Sequence, residues 1–232
     1  MVNYVLVAGA WLGAWVWDEV VPLLRAAGHG AYPLTLSGLA DKQGVPAGQQ
    51  THVEDIVGEV DRLGLDNVVL VGHSYSGIPV GQAAEQIGDR LSRVIFVDSD
   101  VPVDGKSFVS GWPDVRAAVE ASIAETGGFW APPAAAGYAG HGLTDEQIEH
   151  MVDEATPHPG ATLTEPAELA GSLAELPATY IKCVLDGPEP IPAVAKLLTS
   201  EKRRLVELET GHWPMLSAPG ELARILLDAA ER

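Results

Sequence analysis

Ser74 lies in Val71-Gly72-His73-Ser74-Tyr75-Ser76-Gly77, directly after the apolar run 67–71 and directly before helical sequence. A strand, a sharp turn and a helix are the context that lifts a serine hydroxyl clear of a sheet edge and makes it a nucleophile. Residues two before and two after the serine must be small, because their side chains face each other across the turn. Gly72 meets this demand. Ser76 stands where the G-x-S-x-G pattern has glycine, and Gly77 comes one residue late. A serine of this kind needs a base. Of the seven histidines, His212 in Glu209-Thr210-Gly211-His212-Trp213-Pro214 follows the last strand-like run and precedes the last helical one. Loops at the carboxyl ends of parallel strands converge over one site, which brings His212 toward Ser74. His73 is expected to point away from the site, His29 and His52 to lie at the surface, and His141, His150 and His158 to belong to an inserted segment. His150 with Asp153 and Glu154 could ligate a metal, but their setting in a charged helix favours a solvated face, so no metal and no organic cofactor is expected.

The third member of a Ser-His-acid set has two candidates. Asp186 follows the apolar run 179–184 and is the first choice. Asp98 closes the preceding strand-like run and is the rival. Either could aim a carboxylate at His212 and fix its tautomer. The oxyanion formed on attack needs backbone N–H donors, expected from Tyr75 and from Ala10 in the loop Ala8-Gly9-Ala10-Trp11. Trp11, Tyr75, Trp130 and Trp213 are candidate walls of an apolar substrate pocket, with Trp15 and Trp17 expected in the core.

These residues require a scaffold. Strands are predicted at 4–7, 30–34, 67–71, 93–97, 179–184 and 204–207, and helices at 14–27, 53–63, 77–87, 192–199 and 219–231. Thr51-His52-Val53-Glu54 reads as a capping box opening the second helix. Alternating strands and helices predict an α/β domain with a doubly wound, mostly parallel sheet of about six strands. Residues 102–175 break the alternation, with helices predicted at 114–126 and 145–155 around a Gly/Pro/Ala-rich stretch. The expected organisation is a core of residues 1–101 and 176–232 with a small helical cap, 102–175, inserted before the strand at 179–184.

The chain has 232 residues, enough for one such domain, and 47% of them are apolar. Its formal net charge of −18 disfavours nucleic acid and anionic membrane as partners. Cys183 is the single cysteine; it reads as a buried strand residue, and a reducing, cytoplasmic setting is expected. The uncharged stretch 4–17 resembles a signal peptide only superficially, because the first basic residue is Arg25. A monomer or homodimer is expected.

The opening Val7-Ala8-Gly9-Ala10-Trp11-Leu12-Gly13-Ala14-Trp15-Val16-Trp17, with Pro22-Leu23-Leu24 and Ala27-Gly28-His29, resembles the plant methyl-ester esterase and hydroxynitrile lyase family and its bacterial relatives. Thr51-His52-Val53-Glu54-Asp55, the Ser74 turn, Phe96-Val97-Asp98 and Thr210-Gly211-His212 extend the resemblance over most of the chain. It implies the α/β-hydrolase fold and a serine hydrolase that cleaves a small carboxylic ester or lactone through an acyl-enzyme. Ala8 stands where the family usually has histidine, and Ser76 replaces a glycine. An aspartate like Asp98 is frequent in the bacterial branch, while one at the Asp186 position is not universal there. The family's lyases carry lysine after the histidine and threonine in the first loop; here those positions are Trp213 and Gly9, so no cation is expected beside His212 and lyase chemistry is disfavoured. The alternatives are a lyase or other cofactor-free enzyme on the same scaffold, or a receptor that retains the triad.

Overall fold

The computed structural model describes residues 1–171, 173–187, 189–199 and 202–231. Six strand-like runs become strands β1 (Asn3–Val7), β2 (Gly30–Leu34), β3 (Val68–His73) and β4 (Leu91–Val97), then, beyond a pair of two-residue strands, β5 (Phe129–Trp130) and β6 (His158–Pro159), β7 (Ala178–Cys183) and β8 (Arg203–Leu208). The main sheet runs β2-β1-β3-β4-β7-β8, and each of its strand pairs is parallel. Successive strand side chains point to opposite faces. Tyr4, Leu6, Val69, Val71, Ile95 and Val97 accordingly join one core cluster, while Val5, Val7, Leu70, Val94 and Phe96 join the other. A sheet covered on both sides needs apolar residues at every position, and β3 is buried throughout.

The helices are α1 (Val21–Ala26), α2 (Gln49–Leu63), α3 (Gly77–Ile87), α4 (Phe108–Gly111), α5 (Pro113–Glu125), α6 (Asp145–Glu154), α7 (Gly160–Thr164), α8 (Pro192–Leu197), α9 (Pro214–Ser217) and α10 (Pro219–Ala230). α1 and α10 pack on one face of the sheet, α2 and α3 on the other. Among the described residues, no helix is long and apolar enough to cross a membrane. The segment between β4 and β7 carries α4 to α7 and the antiparallel pair β5–β6.

Three predicted boundaries are corrected. The helix expected at 14–27 is a 3-10 turn, Ala14–Trp17, followed by α1. Pro22 near the start of α1 has no N–H to donate, and its ring would clash with the carbonyl four residues back, so one continuous helix cannot pass. α2 begins before Thr51: that residue is in the first turn, where its hydroxyl accepts the Gly48 N–H at 3.1 Å. α8 ends at Leu197 rather than 199.

The strand order reverses between β1 and β3, whose chains continue to opposite sides of the sheet. Loops leaving the carboxyl ends of strands at such a point part and leave a crevice. Ala8-Gly9-Ala10-Trp11 leaves β1 there, and the Ser74 turn leaves β3 beside it.

Candidate active site

Ser74 adopts φ +55°, Asp98 +42° and Trp11 +68°. Such left-handed positions cost a non-glycine residue on the order of 1–3 kcal/mol and persist only where surrounding structure enforces them. Here that enforcement is tight. A Cβ on Gly77 would come within 2.0 Å of the Asp100 carbonyl oxygen, and one on Gly72 within 2.9 Å of the Ser76 carbonyl oxygen. The obligatory glycines are thus 72 and 77. Ser76 is tolerated because its buried hydroxyl donates to the Ala8 carbonyl. The hydroxyl at one departure from the family pattern thus bonds the backbone at another.

Ser74 Oγ lies 2.9 Å from His212 Nε2. On the other side of the ring, His212 Nδ1 lies 2.8 Å from Asp98 Oδ2 and 3.2 Å from Asp186 Oδ2. One N–H cannot serve both oxygens equally, and the shorter contact goes to Asp98. The Asp98 side chain is 3% exposed against 36% for Asp186. Asp98 is also held at its other oxygen, which accepts from Lys182 Nζ at 2.6 Å and from the Cys183 N–H at 3.2 Å. Asp186 instead faces His141, whose Nδ1 is 3.7 Å from its Oδ1. Both aspartates thus reach His212, but the order of preference expected from the sequence, Asp186 before Asp98, is the reverse of the order of contact.

The electrostatics follow. Burial opposes a charge on His212, but hydrogen bonding and Coulomb attraction from Asp186 and Asp98 outweigh it and raise the imidazole to about 9. Burial also acts against ionising Asp186, yet the His212 contact wins and holds it at about 2. Among the described residues, the group with donor atoms close enough for a metal ion is Asp98, Asp186 and His212, within 4.8 Å of one another. The Lys182 ammonium on Asp98 already supplies the positive charge that such a carboxylate cluster attracts.

Lys182 corrects one expectation. A cation does stand near His212, reaching in from β7 instead of from the residue after the histidine. It is bound to Asp98 and to the Cys183 carbonyl, at 3.0 Å. Cys183 is a free, buried thiol, pushed upward by burial and by the Asp98 charge.

His73 does point away from Ser74, but it is not idle. Its Nδ1 accepts the Gly9 N–H at 3.3 Å, and its Nε2 lies 2.7 Å from the His212 carbonyl, so the proton belongs on Nε2. Burial, followed by the charge of His212, lowers it to about 3 and keeps it neutral. One ring thereby ties the loop after β1 to the loop after β8. His141 supports the second loop, accepting the His212 N–H at 3.1 Å. His158 accepts the Trp11 N–H at 3.3 Å. With the amides of Gly9 and Trp11 both engaged, Ala10 between them faces the cavity.

His52 is not at the surface. It is fully buried, with Nε2 2.9 Å from the Ser37 carbonyl and Nδ1 3.0 Å from the Tyr75 hydroxyl, and burial lowers it to about 4. The Tyr75 ring is likewise buried beneath the site, so it is not a pocket wall, whatever its backbone N–H does. His29 Nδ1 accepts the Val2 N–H at 3.3 Å. His150 packs edge-on against Trp15, 4.7 Å between centroids, and Trp17 is in the core.

A cavity of about 490 Å³ opens over Ser74. Ala10, Trp11, Trp130, Trp213, Asp98, Asp186 and His212 all line it. Trp11 and Trp130 pack with ring centroids 4.1 Å apart and planes tilted by 51°, and the Trp11 indole N–H donates to the Trp130 carbonyl. Phe108, Trp112, Tyr180 and Lys182 also face it; the first two lie where the sequence shows no periodic signal.

The model of the alpha/beta hydrolase family matches residues 4–225. The carbendazim hydrolyzing esterase of Nocardioides sp. (strain SG-4G) is 31% identical, over 97% of this chain and 98% of its own length. Methylesterase 9 of Arabidopsis thaliana is 27% identical over 100% and 99%. Among solved structures, an extracellular alpha/beta-hydrolase from a Paenibacillus species superposes with a TM-score of 0.88 at 22% identity, covering 99% of each chain. The cavity, the serine turn and the histidine loop are therefore set in a scaffold shared with esterases along the whole chain, and the protein belongs to the alpha/beta hydrolase family, as a carboxylic-ester hydrolase.

Proposed function

We propose that Ser74, His212 and Asp98 are the catalytic triad and that the enzyme cleaves a small, largely apolar carboxylic ester or lactone through an acyl-enzyme. The observation that carries this reading is the continuous chain Ser74 Oγ to His212 Nε2 and His212 Nδ1 to Asp98 Oδ2, at 2.9 and 2.8 Å. Ser74 Oγ attacks the ester carbonyl while its proton passes to His212 Nε2. The N–H groups of Ala10 and Tyr75 receive the oxyanion, each contributing on the order of 3 kcal/mol to the transition state. Collapse expels the alcohol with the proton from His212. Water then gives its proton to His212 and attacks the acyl carbon, releasing the acid and restoring Ser74. Asp98, oriented by Lys182 and the Cys183 N–H, stabilises the imidazolium.

The segment 102–175 acts as a cap that supplies Phe108, Trp112 and Trp130 to the cavity. A cavity of this size with aromatic walls suits a small aromatic or alicyclic substrate. The name of the plant methylesterase favours a methyl ester, and that of the Nocardioides enzyme favours carbendazim-like aromatics. A single buried thiol fits a reducing compartment such as the cytoplasm.

The test is a serine-directed phosphonate followed by mass spectrometry and hydrolysis of simple aromatic esters. Labelling of Ser74 with loss of turnover is expected. Folded protein that hydrolyses none of them, or hydrolyses them equally well as Ser74→Ala, overturns the assignment.

A further inference from the structure

Asp100 is a charged wall residue that the triad does not use. Its backbone N–H donates to the Ser74 carbonyl at 3.1 Å, which fixes its place relative to the nucleophile. Its side chain borders two cavities: the one over Ser74 and a neighbour of about 240 Å³. Asp100, Phe108 and Ile191 are common to both and form the partition between them.

A carboxylate offers about four acceptor sites. Among the described residues, the donor to this one is the Trp112 indole N–H, at 3.0 and 3.2 Å from the two oxygens. Burial pushes Asp100 up to about 6, against the opposing effects of Trp112 and His212. The other carboxylates over Ser74 are engaged or peripheral: Asp98 by Lys182 and His212, Asp186 by its 3.2 Å approach to His212 Nδ1 and by its place at the more exposed edge, with Glu189 exposed. Asp100 is thus a half-buried carboxylate on the cavity wall with acceptor capacity beyond its one indole donor, which a ligand donor can take up. Around the cavity stand the tilted pair Trp11 and Trp130, with Phe108 6.0 Å from Trp130. Aromatic faces beside a carboxylate are the chemistry that selects a cationic or N–H-bearing group.

We propose that Asp100 is a specificity-determining residue that selects esters carrying a basic or N–H-bearing nitrogen, held between the aromatic walls and the Asp100 carboxylate. This rests on the ester-hydrolase reading and deepens it to a substrate class.

Two pairs of isosteres test it. 2-(Dimethylamino)ethyl benzoate against 3-methylbutyl benzoate places the nitrogen in the alcohol. Methyl 4-(aminomethyl)benzoate against methyl 4-ethylbenzoate places it in the acyl group. In at least one pair, the wild-type protein is expected to favour the nitrogen ester by about tenfold or more in kcat/KM, because a site built for a donor rejects an analogue lacking it. Asp100→Asn keeps an acceptor for Trp112 but removes the charge, and is expected to bring that ratio close to one. Trp112→Phe breaks the tie to the indole but leaves the carboxylate, and is expected to retain the preference. The ratio compares two substrates on one protein preparation, so partial misfolding leaves it unmoved. Hydrolysis of the carbon isosteres with no nitrogen preference in either pair overturns this inference and spares the esterase reading. So does a preference that survives Asp100→Asn. Folded protein that cleaves none of the four esters overturns the ester-hydrolase reading itself.

Discussion

Lys182 Nζ lies 2.6 Å from Asp98 Oδ1, inside the protein, while the other oxygen of the same carboxylate holds His212. Asp98 therefore binds a buried cation and the His212 ring at once, and Asp186 supplies a second negative charge at the more exposed edge of the ring.

The two aspartates should separate cleanly by mutation. Asp98→Asn is expected to lower kcat/KM about 10²–10⁴-fold, the range associated with losing an effective general base. It also strands Lys182, and breaking a buried pair on one side costs about 3–5 kcal/mol. Asp98→Asn/Lys182→Met should regain stability without regaining activity. Asp186→Asn should cost less than about tenfold at its optimum pH, since a half-exposed charge contact contributes about 1 kcal/mol or less. Denaturant titration and steady-state kinetics on the four proteins decide it; a larger kinetic loss for Asp186→Asn would make Asp186 the acid.

His212 accepts a proton only when neutral, and the two carboxylates hold it at about 9. The rising limb of kcat/KM against pH is expected near that value. Removing a negative neighbour favours the neutral ring, so Asp186→Asn should move the limb to lower pH. A limb that does not move shows that Asp186 leaves the base untuned. The same elevation means that His212 favours the folded state most below the ordinary imidazole value of about 6.5, and that this contribution fades as pH rises through about 9.

His73 carries two loops on one ring, through Gly9 and His212. His73→Phe keeps the shape and loses both hydrogen bonds. A displacement of either loop by an ångström suffices for about a 100-fold fall in kcat, with KM much less affected. His73→Gln retains a donor and an acceptor and should recover part of the loss. Equal activity in all three proteins would reduce His73 to a packing residue.

Ser76 and Ala8 should behave as one unit. Ser76→Ala or Ser76→Gly leaves the Ala8 carbonyl without its hydroxyl donor, at a cost of about 1–3 kcal/mol. The glycine variant, although it restores the family pattern, should be no more stable than the alanine one. Chemical denaturation of the three proteins is the measurement.

The alternation of apolar runs made the six-stranded sheet readable, because strands covered on both faces tolerate little else. Ser74 and His212 were readable for a related reason: each follows the carboxyl end of a strand, the first a fully buried one and the second the exposed edge strand β8. Asp98 and Asp186 stand there too, and spacing alone does not rank them. Lys182 held the missing signal. A lysine inside an otherwise apolar run must be paired when buried, and a run beside the strand that ends in Asp98 points to that carboxylate. The burial of His52 had no comparable mark, since its partners, Ser37 and Tyr75, come from separate elements. Phe108 and Trp112 escaped notice because the four-residue α4 is too short to show a period.

The Ser74–His212 contact spans 138 positions of chain. Its second tether, from Gly9 through His73 to the His212 carbonyl, likewise waits on the loop after β8. During synthesis the serine turn leaves the ribosome long before its base does. A nascent chain that has completed β3 and α3 still lacks Asp100, which braces the turn, and His212, and should stay inert toward esters until the loop after β8 has emerged and docked.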